Sequence, residues 1–198
     1  KFDHIIDSAL DRYFLIRENA RKESAAKRVF KQYSWEVPEE RTYDSETNHI
    51  EDVGNHALLP FVQLNQASGV EKEFIAYLEQ NSQYIDWWYK NGDKGKQHYA
   101  IEYSPEGSNS KSLFYVDFVI RMKNGHIYLF DTKSKDSDIF AADKHNALLK
   151  YIKENTTEEQ PLNGGVILQK EENWLYSSFP VENTTDILKW TCFYPQNA

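Results

Sequence analysis

The sequence predicts an α/β (α+β) fold in which a mixed central sheet is flanked by helices in the order α-β-β-β-α-β, with a helical extension before it. Two segments with apolar residues at helical spacing, "SGVEKEFIAYLEQN" and "DIFAADKHNALLKYIKE", bracket a series of short alternating segments. An Asn124-Gly125 pair between two of those segments predicts a β-hairpin. A chain of 198 residues with 40% hydrophobic content can form one sizeable core, or a core with an appendage.

The N-terminal part is predicted to be an extension of this core. Residues 3–33 have helical periodicity, and residues 34–60 have two prolines, acidic runs and no clear period, which is typical of an irregular connection. We therefore divide the chain into an extension, residues 1–60, and a main domain, residues 61–198. The chain begins with Lys1 and not with methionine, which suggests a piece of a longer protein.

The next helix carries a carboxylate on its apolar side. Ser68 is a candidate N-cap, and Glu71 follows at the capping-box spacing. Glu71 precedes Phe74, Ile75 and Leu78 by three, four and seven residues, which puts it on the buried stripe. It could join a site on the sheet, or it could simply cap the helix or lie in solvent at the edge of the stripe. Glu73 is nearer the flank and is the reserve candidate.

The remaining elements follow in order. Residues 87–89 and the segment "QHYAIEY" are predicted to be strands, and the hairpin follows. After the second amphipathic helix, "GGVILQ" is predicted to be a buried strand with "NWLYSSF" paired to it. The tail, "TDILKWTCFYP", is predicted to be a short helix or a turn.

The length of the hairpin loop decides which side chains meet. A two-residue loop would put Asp117 and Asp131 on opposite faces. A three-residue loop places Met122 opposite His126, Asp117 opposite Asp131 and Tyr115 opposite Lys133, and it needs a left-handed residue, which Gly125 supplies. It also makes the other face uninterruptedly apolar, so we predict the three-residue loop. That apolar face would consist of Phe114, Val116, Phe118, Ile120, Tyr128 and Phe130.

Two directly opposed carboxylates have Cβ atoms about 5 Å apart and repel unless a cation or a proton lies between them. Oxygen ligands suit Mg²⁺ or Mn²⁺, which typically bind one or two protein carboxylates together with water and phosphate oxygens. Lys133, on the same face as Asp131, could hold a phosphate and orient or deprotonate a water molecule. The alternative is that these carboxylates are solvated and that Lys133 forms an ordinary exposed ion pair.

Several function classes find no support in the sequence. A net charge of −8 argues against tight non-specific binding of nucleic acid by this chain alone. The single cysteine, Cys192, excludes an internal disulfide framework, and no phosphate-binding loop of the GxxxxGK[ST] type is present. There is no secretory leader and no apolar run long enough to cross a membrane, so a cytoplasmic location with no membrane partner is expected.

The helix with Glu71, the strands with Val116-Asp117 and Asp131-Thr132-Lys133, and the following helix and strand together resemble the PD-(D/E)xK nuclease superfamily. Over about residues 65–155 the chain is similar to the C-terminal endonuclease domain of type III restriction enzyme Res subunits and related helicase–nuclease proteins. Val116 replaces the proline of the motif, and Asp131 stands where this subfamily more often has Glu. Neither difference removes a required functional group.

The resemblance implies a restriction-endonuclease-like core and a Mg²⁺-dependent (or Mn²⁺-dependent) endodeoxyribonuclease. It implies that Asp117, Asp131 and the backbone carbonyl of Thr132 bind the metal, that Lys133 is the catalytic lysine and that Glu71 is the helix carboxylate. ATP would act only through a motor domain that is not in this sequence. Expected partners are double-stranded DNA and, through the full-length protein, a modification or specificity subunit.

Basic residues near the motif are candidates for DNA contacts, although solvated surface lysines are the alternative for each. The principal candidates are Lys94, Lys96, Lys135 and Lys144, with Lys90 and Lys150 as further basic residues nearby. A catalytically inactive nuclease-like module that docks DNA or protein remains the alternative function. RNA or branched DNA also remains open as a substrate.

Overall fold

A computed structural model of the chain describes residues 13, 36, 50–52, 56–58, 61–63, 68–92, 98–104, 111–133, 141–184 and 189–198. Within them lie two α-helices, α1 (Gly69–Gln80) and α2 (Ala141–Asn155). The same residues form ten strands: β1 (Ile50–Asp52), β2 (Phe61–Gln63), β3 (Ile85–Lys90), β4 (Ala100–Tyr103), β5 (Ser112–Tyr115), β6 (Phe118–Met122), β7 (Ile127–Lys133), β8 (Leu162–Lys170), β9 (Asn173–Tyr176) and β10 (Thr191–Cys192).

Six of these strands form the central sheet in the order β10-β9-β8-β7-β6-β3. Only β7 and β8 are parallel, and α2 connects them; the other neighbouring strands in this sheet are antiparallel. Along the chain, α1, β3, β6, β7, α2 and β8 follow the predicted α-β-β-β-α-β order, with a ribbon of β4 and β5 inserted between β3 and β6. The prediction of a mixed α/β fold is therefore confirmed.

The N-terminal predictions are only partly open to comparison. The helix predicted for residues 3–33 lies almost entirely outside the described residues. In the connection predicted to be irregular, β1 forms a short strand, and it pairs antiparallel with β2 on the other side of residue 60. The division of the chain at residue 60 stays a prediction. No helix among the described residues is long and apolar enough to cross a membrane.

Helix α1 begins with the predicted capping box. The Ser68 hydroxyl accepts a hydrogen bond from Glu71 N at 3.3 Å, and Glu71 Oε2 accepts one from Ser68 N at 2.5 Å. The predicted stripe of Phe74, Ile75 and Leu78 is buried against one face of the sheet. Aromatic rings fill this interface, with the centroid of Phe74 lying 5.0 Å from that of Phe118 in an edge-to-face arrangement.

The hairpin of β6 and β7 has the predicted three-residue loop. Ile120 lies opposite Tyr128, Met122 N donates to His126 O at 2.9 Å, and Gly125 N donates to Met122 O at 2.9 Å. Gly125 has φ of +92°, in the left-handed region that the loop requires. The register that brings the start of β6 beside the end of β7 is therefore confirmed.

The prediction of an uninterrupted apolar face is wrong, because the chain leaves the sheet at Val116 and Asp117. Strand β5 ends at Tyr115, which lies opposite Ala100 of β4 and not opposite Lys133. Phe114 and Val116 then pack on the other face of the sheet, with Leu129 of β7 and Leu148 of α2. Phe118, Ile120, Tyr128 and Phe130 remain on the α1 face.

The C-terminal part agrees with the predictions in its pairing but differs in the tail. The predicted strands at "GGVILQ" and "NWLYSSF" are β8 and β9, and they pair antiparallel. In the tail, residues 185–188 lie outside the described residues, and Thr191–Cys192 form an edge strand against β9, so the expectation of a short helix or turn is wrong at Thr191 and Cys192. A 3₁₀ turn at Pro195–Asn197 follows.

Candidate metal and catalytic site

The candidate site lies where four pieces of the chain meet: the first turn of α1, the end of β3, the bend before β6 and the end of β7. They contribute Glu71, Lys90, Asp117 and the Asp131-Thr132-Lys133 segment. The antiparallel pairing of β6 with β7 places the bend beside the end of β7. The structure therefore brings together Glu71, Asp117 and the Asp131-Thr132-Lys133 segment, and it places Lys90 among them.

Thr132 holds the Asp117 side chain in place. Asp117 Oδ2 accepts hydrogen bonds from Thr132 N and from Thr132 Oγ1, each at 2.7 Å. Burial raises the pKa of Asp117, the charge of Lys90 lowers it, and the negative charge of Glu71 raises it further, so that it lies above its usual value. The side-chain hydroxyl and the backbone N–H of Thr132 thus contact the candidate site directly, whereas the metal-binding role of its carbonyl stays a prediction.

Asp131 is the most deeply buried carboxylate of the group and pairs with Lys133. Its residue is 3% exposed, and Lys133 Nζ lies 2.9 Å from its Oδ2. That oxygen has no other polar contact among the described residues that qualifies as a hydrogen bond. Burial, followed by the negative charge of Asp117, raises the pKa of Asp131 to about 7, although Lys133 opposes both effects. A pKa raised by a neighbouring carboxylate is expected when two carboxylates are adjacent, because like charges disfavour ionisation.

Lys90 joins the helix carboxylate to the sheet carboxylate. Its side chain is 9% exposed, and its Nζ lies 2.5 Å from Glu71 Oε1 and 3.8 Å from Asp117 Oδ1. The same atom lies 5.2 Å from the centroid of the Phe118 ring. From the sequence, Lys90 was expected only to be one of several basic residues near the motif. Residues two apart in a strand share a face, so the position of Lys90 two residues after the buried Trp88 could have indicated an inward side chain.

Both carboxylate oxygens of Glu71 already have partners. Lys90 contacts Oε1, and Ser68 N donates to Oε2 in the capping box. Burial alone would raise the pKa of Glu71, but the charge and hydrogen bond of Lys90, with the Ser68 contacts, bring it below its usual value. The two roles considered for Glu71, capping and facing the site, thus occur together.

Asn91 fixes the bend that carries Asp117, and the sequence analysis missed it. Its side chain is buried, and its Nδ2 donates to Tyr99 O at 2.7 Å and to Val116 O at 2.8 Å. Its Oδ1 accepts from Tyr99 N at 3.1 Å, and its backbone N donates to Asp117 O at 2.8 Å. In the sequence, the feature that could have indicated this role is an asparagine directly after an aromatic-rich strand, since a polar side chain buried there needs hydrogen-bond partners.

The other predicted residues are placed less centrally. Glu73 is exposed on α1 and forms no hydrogen bond or ion pair with the site residues that the structure describes, and Lys150 is exposed on α2. Lys144, in the first half of α2, is partly buried, and its positive charge lowers the pKa of Asp131. Lys94, Lys96 and Lys135 lie outside the described residues.

The carboxylates of the candidate site could bind a hard cation, but only two of them would act as protein ligands. Among the described residues, no group of three or more His, Cys, Asp or Glu side chains is arranged to hold a metal ion. Asp117 and Asp131 are nevertheless close enough for the Asp117 charge to raise the pKa of Asp131, and Asp131 Oδ2 is buried. Among the described residues, three carboxylates in their ionised form and the two ammonium groups of Lys90 and Lys133 give a formal charge of −1, which favours a cation. Such a set fits Mg²⁺, which commonly takes one or two protein carboxylates and fills its other positions with water and phosphate oxygens.

Comparisons of the chain with protein-family models, with curated proteins and with solved structures found no match.

Proposed function

We propose that this chain contains a metal-dependent endodeoxyribonuclease domain with a restriction-endonuclease-like core, the C-terminal part of a type III restriction-like helicase–nuclease. The observation that carries the proposal is the pairing of Lys133 Nζ with Asp131 Oδ2 at 2.9 Å, beside Asp117 on the adjoining bend. The α-β-β-β-α-β order of the elements around the sheet supports it. So does the motif Asp117 with Asp131-Thr132-Lys133, whose carboxylates the hairpin register brings together.

Asp117, Asp131 and the carbonyl of Thr132 would hold Mg²⁺ or Mn²⁺. When bound, such an ion polarises a phosphate and lowers the pKa of a water molecule. The protein contributes fixed geometry, because Thr132 orients Asp117 and strand β7 orients Asp131 and Lys133.

The reaction is hydrolysis of a phosphodiester. A water oxygen bonds to phosphorus and loses a proton to solvent, the bond from phosphorus to one deoxyribose oxygen breaks, and that oxygen takes up a proton from solvent. Lys133 would donate a hydrogen bond to the attacking water and offset the negative charge that develops on the phosphate. For this it must exchange part of its contact with Asp131 for one with substrate, and its 17% exposed side chain has access to solvent.

Double-stranded DNA is the proposed substrate, with Lys144 and the lysines at positions 94, 96 and 135 contacting its backbone. The acidic net charge of −8 is compatible with this if most of the DNA affinity comes from a motor domain elsewhere in the full-length protein. ATP and a modification or specificity subunit would act through that protein.

A catalytically inactive module that docks DNA or protein is the second candidate. The contacts of Glu71 favour it, because Lys90 and Ser68 N already engage its two carboxylate oxygens and leave this helix carboxylate less available to a metal ion. Such a module would bind no Mn²⁺, and calorimetric titration of the chain with MnCl₂ separates the two candidates.

The catalytic test compares the chain with its Lys133→Ala variant on supercoiled plasmid in Mg²⁺ and in Mn²⁺. We expect nicking by the unaltered chain and a loss of at least about a hundredfold in the variant, the usual size of a lost electrostatic or general acid–base contribution. Lys111→Ala is the matched control, because Lys111 is an exposed lysine paired with Glu102 away from the site. Equal nicking by the Lys133→Ala and Lys111→Ala variants would overturn the mechanism.

A further inference from the structure

Lys90 occupies the space between two carboxylates that a second cation would need. Its Nζ lies 2.5 Å from Glu71 Oε1 and 3.8 Å from Asp117 Oδ1. Sites that bind two divalent ions hold them about 3.5–4 Å apart, with carboxylates on both sides. Asp117 faces Lys90 with Oδ1, and Asp131 lies close enough for the Asp117 charge to act on it.

We propose that the Lys90 ammonium is a built-in substitute for a second metal ion, so that the site binds a single divalent cation between Asp117 and Asp131. This inference rests on the proposed function and adds to it the number of ions and the residue that sets it. Lys90 is a positioning residue in this scheme. It fixes Glu71 and Asp117 and supplies a permanent positive charge on the α1 side of the site.

The surroundings of Lys90 keep the ammonium at this position. The side chain is 9% exposed, its Nζ lies over the face of the Phe118 ring, and it approaches Asn91 O at 3.4 Å. Its backbone is in β3, where Lys90 lies opposite Phe118 of β6. The following residue, Asn91, is anchored to Val116 and Tyr99. An ammonium with two carboxylates and an aromatic face around it, and little access to water, is held more firmly than an exposed ion pair.

The replacement of Lys90 by an uncharged residue of similar length should therefore open a second cation position. In Lys90→Met the carboxylates of Glu71 and Asp117 lose their shared counterion while the aliphatic packing is largely kept. A divalent ion can then take the vacated place, with Glu71 Oε1 and Asp117 Oδ1 as ligands.

The experiment counts Mn²⁺ ions bound to the full 198-residue chain by calorimetry and records the electron paramagnetic resonance spectrum of bound Mn²⁺. We expect one ion and an uncoupled spectrum for the unaltered chain. Lys90→Met should bind two ions and show the spectrum of a spin-coupled Mn²⁺ pair. Lys90→Arg, which keeps the charge, and Lys111→Met, an exposed control, should each bind one ion.

A second variant guards against a folding defect in Lys90→Met. The double variant Glu71→Gln with Lys90→Met removes one buried charge of each sign and should bind a single ion, because the second position then lacks its helix carboxylate. Thermal unfolding of each variant with and without Mn²⁺ checks the fold. Lys90→Met should gain more stability from Mn²⁺ than either the unaltered chain or the double variant.

The outcomes separate this inference from the function on which it rests. Two ions in the unaltered chain, or one ion with unchanged affinity in Lys90→Met, would overturn the role of Lys90 and leave the nuclease proposal standing. No ion in the unaltered chain together with one in Lys90→Met would overturn the single-ion site of the unaltered chain, and with it both this inference and the metal site of the proposed function. No ion in any variant would overturn both.

Discussion

Thr132 donates two hydrogen bonds to one oxygen of Asp117, from its backbone N and from its Oγ1, each 2.7 Å long. The two residues come from opposite sides of the hairpin and join the bend before β6 to the end of β7. Asp117 lies outside any strand, so its side chain is held in position by these two hydrogen bonds.

The loss of the Thr132 hydroxyl should weaken the fold and the site together. Thr132→Val keeps the shape and the backbone hydrogen bond but removes the Oγ1 donor, and a hydrogen bond to a charged group contributes about 1.5–3 kcal/mol. We expect a decrease of this size in the free energy of unfolding, measured in urea, and weaker Mn²⁺ binding by calorimetry. Thr132→Ser is the matched control and should stay close to the unaltered chain in both measurements. A Thr132→Val variant as stable as Thr132→Ser would contradict this account of Asp117.

Asn91 should stabilise the same bend from the other side. Asn91→Ala leaves the carbonyls of Tyr99 and Val116 and the Tyr99 N–H without the partner that they have now, and buried unpaired polar groups are costly. We expect a loss of about 2–4 kcal/mol in the free energy of unfolding. Asn155→Ala is the control, because Asn155 makes one side-chain hydrogen bond, to Tyr151 O at the end of α2. Asn155→Ala should lower the free energy of unfolding by less than about 1 kcal/mol. Similar losses in the two variants would show that the hydrogen bonds of Asn91 do not stabilise the bend.

Asp131 should make the metal-free chain less stable as the pH rises. Burial and the charge of Asp117 raise its pKa from 3.8 to about 7 on folding, so the folded chain holds a proton that the unfolded chain releases between these values. Folding is then favoured at the acidic end, and this contribution is lost as the pH rises through about 7. Asp117, whose pKa is also raised, acts in the same direction, whereas the lowered pKa of buried His145 acts in the opposite one.

The Asp131→Asn variant isolates the Asp131 contribution from those of the other groups. The free energy of unfolding of both chains is measured in urea and EDTA from pH 5 to pH 8. As the pH rises, the unaltered chain should lose stability relative to the variant. Asp86→Asn, at an exposed position, should follow the unaltered chain. A difference between the unaltered chain and Asp131→Asn that does not change with pH would show that Asp131 titrates normally.

The sequence was sufficient for those parts of the fold that depend on neighbours along the chain. The capping box of Ser68 and Glu71 is a local pattern, and the structure shows both of its hydrogen bonds. The loop at Gly125 is local as well, and it fixed the register of β6 and β7. The proximity of Asp117 to Asp131 follows from that register, which is why it could be predicted from the sequence.

What the sequence did not predict depends on contacts between distant residues. The bend at Val116 is stabilised by Asn91, which is 25 residues away, and nothing in the alternating pattern of residues 114–120 reveals it. The position of Lys90 depends on how α1 packs on the sheet, because its closest partner, Glu71, belongs to that helix. Strand β10 depends on the edge offered by β9, since two residues have too little intrinsic preference to form a strand alone.

Gly125 should matter for its backbone conformation and not for the space around it. Its φ is +92°, which residues other than glycine rarely adopt, and a Cβ built there would have no neighbouring heavy atom within 4 Å. Gly125→Ala should therefore lower the free energy of unfolding by about 1 kcal/mol through backbone strain alone. Gly69 is a matched control, because a Cβ at that position also meets nothing within 4 Å while the residue begins α1. Gly69→Ala should be neutral or slightly stabilising.

Because the strain lies in the loop and the pairing of β6 with β7 is kept, Gly125→Ala should bind Mn²⁺ as the unaltered chain does. A loss of binding equal to that of Asp131→Asn would instead show that the loop controls the position of Asp117 directly.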